Sequence, residues 1–259
     1  MRLTINIPIN HSAKPQSMKA KLIVFITISF LGSMACRAQE AKLDDILSSY
    51  YKAIGIEKMK DWQTVTFTGK TIAQGTEFPI KVYFKRPGKI RLEVEVQGNK
   101  MIQVFDGIQG WSITPWSGSS TPQDMTTDEI KGMKSQADIE GALYNWKEKG
   151  HKAELIGKDD LEGSAVYKIK LIKADGDIET YFIDAENYVP LKMSAIVKIQ
   201  GNETEGEGYF SNYSEFNGVL MAKTTTNKIK DQTVSQIQMD KVEINLPVSD
   251  SLFVKPVKK

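Results

Sequence analysis

Few residues in this sequence can move a proton, attack a carbonyl carbon or hold a metal ion, and their placement is as informative as their scarcity. There are two histidines, His11 and His151, and one cysteine, Cys36. His151 lies in EKGHKAE, among charged neighbours and between a helical and a strand pattern, which reads as an exposed loop imidazole in preference to a general base. No GxSxG turn and no histidine cluster for zinc accompany it. Carboxylates are more plentiful. Glu203, Glu205 and Glu207 alternate in GNETEGEG and so share one face of a strand, where they can either bind calcium or simply keep a solvated edge from mispairing. Asp159-Asp160 and Asp184 with Glu186 fall at turns, where acidic side chains bond their own backbone. The sequence therefore predicts no catalytic residue, no metal ligand and no cofactor site, and a protein that is not an enzyme.

What is abundant instead is large apolar side chains. Met101, Val104 and Phe105 fall on one strand pattern, and Trp111, Ile113 and Trp116 on the next. Met133, Leu143 and Trp146 belong to a helical stretch beyond them. Any one of these can be ordinary core. As a set they predict the lining of a ligand cavity, because a large curved sheet with helices over its mouth encloses more volume than its own side chains fill.

The elements that must position this set begin with Phe84 to Pro115, a stretch of alternating apolar and polar residues broken by tight turns. In KIRLEVEV, Ile90, Leu92, Val94 and Val96 point one way while Arg91, Glu93 and Glu95 point the other, which predicts a half-buried strand with one wet face. Pro87-Gly88, Gly98-Asn99 and Asp106-Gly107 punctuate the meander. Upstream, Leu43, Ile46, Leu47, Tyr50, Tyr51 and Ile54 at helical spacing, followed by Gly55 as a cap, predict a helix over Ala41 to Ile54. Strands follow at 64–73 and 78–86 around Gln74-Gly75. After Trp116, SGSSTPQD reads as a loop. A helix capped by Asp124 or Thr127 then runs through Lys134, and a second helical segment spans Asp138 to Lys147. Seven more strand patterns, from Lys152 to Leu246, are separated by turn pairs such as Asp175-Gly176 and Asn217-Gly218. Without βαβ alternation this predicts a mainly β fold: an antiparallel sheet of ten or eleven strands, strongly curved or nearly closed, with an N-terminal helix and a helical insertion covering the cavity.

The N-terminus carries a different message. Leu22 to Leu31 is an apolar run preceded by Lys19 and Lys21, too short for the roughly 20 residues of a bilayer span and typical of a secretory signal. Cleavage is expected after Ala38, giving a leader over 1–38 and one binding domain over 39–259. Met18 directly precedes the basic region and is an alternative start to Met1. Cys36 offers a second outcome, a lipid anchor at the outer membrane, although Ser33 and Met34 before it are not the aliphatic-then-small pair of a lipidation signal. The leader holds Arg2, Lys14, Lys19, Lys21 and Arg37 and no acidic residue, which leaves 29 basic against 32 acidic residues beyond it and a formal charge of −3. A nucleic-acid partner is not expected on that balance.

Taken in order, the helix ending AIG, then RPGKIRLEVEV, VFDGIQGWSITP, the helical insertion, YFIDAENYVPLKM and a terminal DSLFVKP resemble the LolA/LolB-like superfamily, in particular outer membrane lipoprotein-sorting proteins of Bacteroidetes type. The resemblance covers most of residues 41–256. It implies an eleven-stranded half-open β-barrel closed by helices, whose apolar cavity receives the acyl chains of lipoproteins or related lipids. It also implies a gating arginine near the barrel mouth, for which Arg86 and Arg91 are the candidates. The expected function is a monomeric periplasmic carrier that exchanges its cargo with membrane-bound donor and acceptor proteins. The alternative, from a different class, is an envelope sensor or scaffold that recognises a lipid or envelope protein and signals to a partner.

Overall fold

Period-two alternation dominates the chain, and the structure turns it into a single antiparallel sheet. The structure, a computed structural model, describes residues 42–117, 119–199 and 202–256, so the expected signal segment, its cleavage site, His11 and Cys36 lie outside the described residues. Helix α1 (Leu43–Ile54) comes first, followed by β1 (Thr64–Ala73), β2 (Thr76–Lys85), β3 (Lys89–Val96), β4 (Asn99–Phe105), β5 (Gly110–Thr114) and β6 (Ser119–Asp124). Helix α2 (Thr127–Gln136) then leads to β7 (Lys152–Leu161), β8 (Ser164–Ile172), β9 (Ile178–Asp184), β10 (Pro190–Ile199), β11 (Asn202–Phe216), β12 (Val219–Ile229) and β13 (Gln232–Ile244).

The strand order is β6-β5-β4-β3-β2-β1-β13-β12-β11-β10-β9-β8-β7. Every sequential neighbour is a hairpin except at two places. Strand β1 pairs with β13, Val65 opposite Ile244, and so joins the two halves of the chain at the centre of the sheet. Strands β6 and β7 are the free edges, and α2 with residues 137–151 carries the chain from one edge to the other. The result is a curved, half-open barrel. Both edges are blunted against pairing with other chains: β6 contains Pro122, and β7 slips register between Leu155 and Gly157 and carries charge at Lys158, Asp159 and Asp160.

Thirteen strands stand where ten or eleven were expected. Residues 119–124, which read as loop on their serine and proline content, pair with β5 through Trp111 opposite Asp124, so tertiary pairing overrode local propensity. The β3–β4 turn is Gln97-Gly98, one residue earlier than expected, with φ of 50° and 78°, the positive pair that a two-residue turn between twisted strands needs.

The helices also depart from expectation in detail. Helix α1 runs from Leu43 and ends at Gly55, φ 71°, where an added Cβ would lie 2.4 Å from the Gly218 carbonyl oxygen, so the position admits only glycine. Helix α2 is capped by Thr126, not by Asp124 or Thr127. The Thr126 hydroxyl accepts from the Glu129 N–H while the Glu129 carboxylate accepts from the Thr126 N–H, a reciprocal capping box. Residues 138–147 form successive hydrogen-bonded turns instead of a helix, with Gly141 at φ 77° interrupting the pattern.

Three apolar clusters hold these parts together. In the largest, Ile46, Leu47, Tyr50 and Ile54 of α1 pack on Ile169, Leu171 and Ile183 of the sheet, with Leu143 and Tyr144 of the 137–151 connection. In the second, Met133 and Ala137 at the end of α2 meet Ile90 and Phe105. The third lies on the opposite face of β4 and β5, where Phe253, Val248 and Leu252 of the C-terminal segment cover Val104, Trp111, Ile102 and Ile113.

That third cluster corrects in part the expectation of a wet face on β3. Arg91 is 9% exposed. Its guanidinium donates from Nη1 to the Leu252 carbonyl at 2.7 Å and from Nε to Glu93 at 2.7 Å. Burial pushes the Glu93 carboxyl up, but Arg91 and Lys100 outweigh it and hold the group below the usual carboxylate range. Arg91 on this face ties down a strap of chain, while Glu95 further along it meets water.

Candidate functional site

Two cavities lie on the concave side of the sheet. The first, about 460 Å3, is floored by β1, β2 and β3 on one side and β11, β12 and β13 on the other. Alternation explains its apolar lining. Leu92 pairs with Val82 and Val82 with Phe67, so the three form one inward row across β3, β2 and β1. Ile237 pairs with Thr225, and Phe210 with Thr225, giving a second row from the far strands. Gln136, from the last turn of α2, reaches the same space. A volume of this size falls within the usual range for ligand sites.

The second cavity, about 660 Å3, opens at the rim formed by the β2–β3 turn, the β4–β5 turn and the start of the 137–151 connection. Its base is Phe105, Ala137 and Ile139, and its rim is charged, with Arg86, Lys89 and Lys134 facing Asp106, Asp138 and Glu140. Phe105 is the register partner of Ile90, which lines the first cavity, and Gln136 and Ala137 are consecutive. The two spaces therefore meet at a shared wall that includes Ile90, Phe105 and Ala137, against which Met133 packs.

Of the two arginine candidates, Arg86 alone lines either cavity. Arg91 faces the C-terminal strap, on the opposite face of β3 from Ile90 and Leu92, which line the first cavity. Arg86 lines the second cavity, donates from Nε to the Trp62 carbonyl at 2.7 Å and from Nη2 to the Met59 carbonyl at 3.0 Å, and pairs with Glu140. It thus ties the barrel rim to the chain segment that covers it.

Of the residues expected to line a cavity, Phe105 belongs to the wall of the second, Met133 packs against it, and Met101 lies on the concave side as the partner of Val94. Leu143 and Trp146 belong to the cluster around α1, where side chains fill the space. Val104, Trp111 and Ile113 point to the opposite face, and the Trp111 indole donates to the Phe253 carbonyl at 3.1 Å. Trp116 is 57% exposed. The strict period of two accounts for the split: Val104 and Phe105 are consecutive and cannot share a face. The lining from Phe67, Val82, Phe210 and Ile237 was not singled out, although the alternation that put Leu92 and Val94 on one face applies equally to PIKVYF in β2.

His151, Glu207, Asp160 and Asp184 have structural partners, while Glu203 and Glu205 are exposed. His151 Nδ1 accepts from the Ala174 N–H at 3.0 Å, and burial, with Lys149 and Lys173 nearby, lowers its pKa. Glu207 pairs with Lys192. Asp160 and Asp184 accept from backbone N–H groups of their own turns. Among the described residues no group of three histidine, cysteine or acidic side chains is placed to hold a metal ion. Nor is any helix among them long and apolar enough to cross a membrane.

No family model matches the sequence, and no curated protein matches it. Solved structures do match the fold. A LolA superfamily protein from Nitrosomonas europaea superposes with a TM-score of 0.56 at 15% identity, over 80% of this chain and 96% of its own. A DUF1329 family protein from Desulfovibrio piger gives 0.55 at 12% identity, over 81% and 97%. A protein from Vibrio parahaemolyticus described as an outer membrane lipoprotein-sorting protein domain gives 0.54 at 13% identity, over 80% and 97%. The chain has the fold of these proteins, in agreement with the resemblance read from its short phrases.

Proposed function

We propose that this protein is a carrier of acyl chains, working without catalysis in the periplasm, that buries the chains of lipoproteins or lipids for sorting to the outer membrane. The observation that carries this is the apolar cavity of about 460 Å3 beside the end of α2, walled by Leu92, Val82, Phe67, Phe210 and Ile237. Burial of a methylene group contributes roughly 0.8 kcal/mol, so about ten methylenes match the free energy of micromolar binding before ordering costs are subtracted. Arg86 and the capped but sparsely packed α2 form the closure, and cargo passes between membrane-bound donor and acceptor proteins.

Native mass spectrometry of protein purified from the envelope tests this. Bound lipid or acylated peptide is expected, and Thr225→Trp, which projects a ring into the cavity, should abolish it while the far-ultraviolet circular dichroism stays unchanged. Protein that carries no lipid and takes up no added fatty-acyl probe would remove the carrier reading. A stable complex with one membrane protein and no transferable lipid would favour a sensor or scaffold instead.

A further inference from the structure

The charged rim of the second cavity is not balanced in the way its composition implies. Its three carboxylates are all engaged within the protein. Asp106 accepts from the N–H groups of Ile108 and Gln109 at 2.8 and 2.7 Å. Asp138 holds Lys149 at 2.6 Å, and Glu140 holds Arg86. On the cationic side Arg86 is committed, and Lys89 shares Asp250 with Lys85. Lys134 lines the cavity and is exposed, and among the described residues it has no hydrogen-bond or ion-pair partner. The rim therefore offers a cation in surplus over an apolar base, directly across a thin wall from the acyl cavity.

We infer that the second cavity is a head-group site for an anionic amphiphile, with Lys134 as the residue that recognises the charge. This rests on the carrier reading and narrows its cargo to lipids whose polar end bears a phosphate or similar anion. The head group sits at the rim against Lys134, with Lys89 in reach of its outer side. The chain passes the Met133 and Ala137 wall into the space lined by Leu92 and Val82. Two features make that wall able to yield. Met133 is unbranched and repacks readily, and α2 contributes only Met133 as a buried residue of its own. Withdrawal of the last turn of α2 joins the two cavities end to end, polar rim to apolar floor, which is the polarity order of the cargo itself.

Three probes separate this from the carrier reading: phosphatidylglycerol, diacylglycerol with the same chains, and inorganic phosphate, each titrated into full-length protein and followed by native mass spectrometry or calorimetry. Phosphatidylglycerol should bind more tightly than diacylglycerol. Lys134→Glu should weaken phosphatidylglycerol roughly tenfold and leave diacylglycerol unchanged, since replacing a partly solvated attraction by a repulsion is an effect of that order. Lys134→Arg should retain the preference. Equal binding of both lipids, with no effect of Lys134→Glu, would overturn the head-group assignment while leaving the carrier standing. Binding of neither lipid would remove both. Inorganic phosphate binding as tightly as phosphatidylglycerol, with the same loss in Lys134→Glu, would make the rim a free-anion site and overturn the amphiphile.

Discussion

The two helices lie on the same concave surface and do opposite things to it. Helix α1 carries apolar residues at Leu43, Ile46, Leu47, Tyr50, Tyr51 and Ile54, a stripe along its whole length, and buries four of them against β8, β9 and β12. Helix α2, TDEIKGMKSQ, has apolar side chains only at Ile130 and Met133 and buries one. Beneath α1 the barrel is solid. Beside the last turn of α2, at Gln136, the barrel keeps a cavity of about 460 Å3. What fixes α2 is largely polar: Lys131 reaches Asp177 at 2.6 Å and Asp175 at 3.6 Å, and Lys173 donates to Ser135 at 2.8 Å. A curved sheet of this size needs a wide apolar stripe to plug it, and a helix that lacks one becomes a cover.

This contrast can be broken experimentally, most forcefully in the filled half. Leu47→Ala should cost about 2–5 kcal/mol in urea denaturation, the usual range for a fully buried leucine whose surroundings cannot collapse. A loss below about 1 kcal/mol would mean that the α1 side is not tightly packed.

Alkaline titration reads the same half without mutation. Burial, reinforced by Tyr144, Glu148 and Asp44, raises the Tyr51 hydroxyl to about 12. Burial also pushes Tyr50, Tyr181 and Tyr213 well above the usual phenol value. A raised folded-state pKa gives stability that is complete below the unfolded value, near 10, and is lost as pH climbs through the folded one. Tyrosinate absorbance from these four rings should therefore appear together with unfolding above about pH 10, and well-separated ionisation of a folded protein would show that water reaches the α1 side.

On the α2 side, Thr126→Ala should remove about 1 kcal/mol of capping. Hydrogen exchange is expected to quicken in α2 and stay unchanged in α1, because the two helices share no cluster. The smallest effect belongs to the cavity lining. Leu92→Ala should cost about 1 kcal/mol or less, since the atoms removed already face open space. A loss as large as that of Leu47→Ala would make the two halves alike.

The legible parts of the site were those that depend on one strand or one helix alone. The inward set Ile90, Leu92 and Val94 followed from alternation, and Gly55 from its place after a helical stripe. Even the capping box of α2 is present as Thr126-Thr127-Asp128-Glu129, a spacing that is visible once Thr126 is considered. What could not be read was the partner of each face. Val104, Trp111 and Ile113 look like cavity residues until the C-terminal segment, more than a hundred positions away, lies across them.

The sequence by itself determined the strand rhythm, the two faces of each strand, the amphipathic stripe of α1 and the poverty of catalytic side chains, because all of these are local patterns of residue type. Tertiary structure alone decided that β1 meets β13, that Arg91 on the charged face of β3 lies under a strap, and that a cavity opens beside the end of α2. Those outcomes depend on volumes brought together from distant parts of the chain, and a local pattern carries no measure of the room left between them.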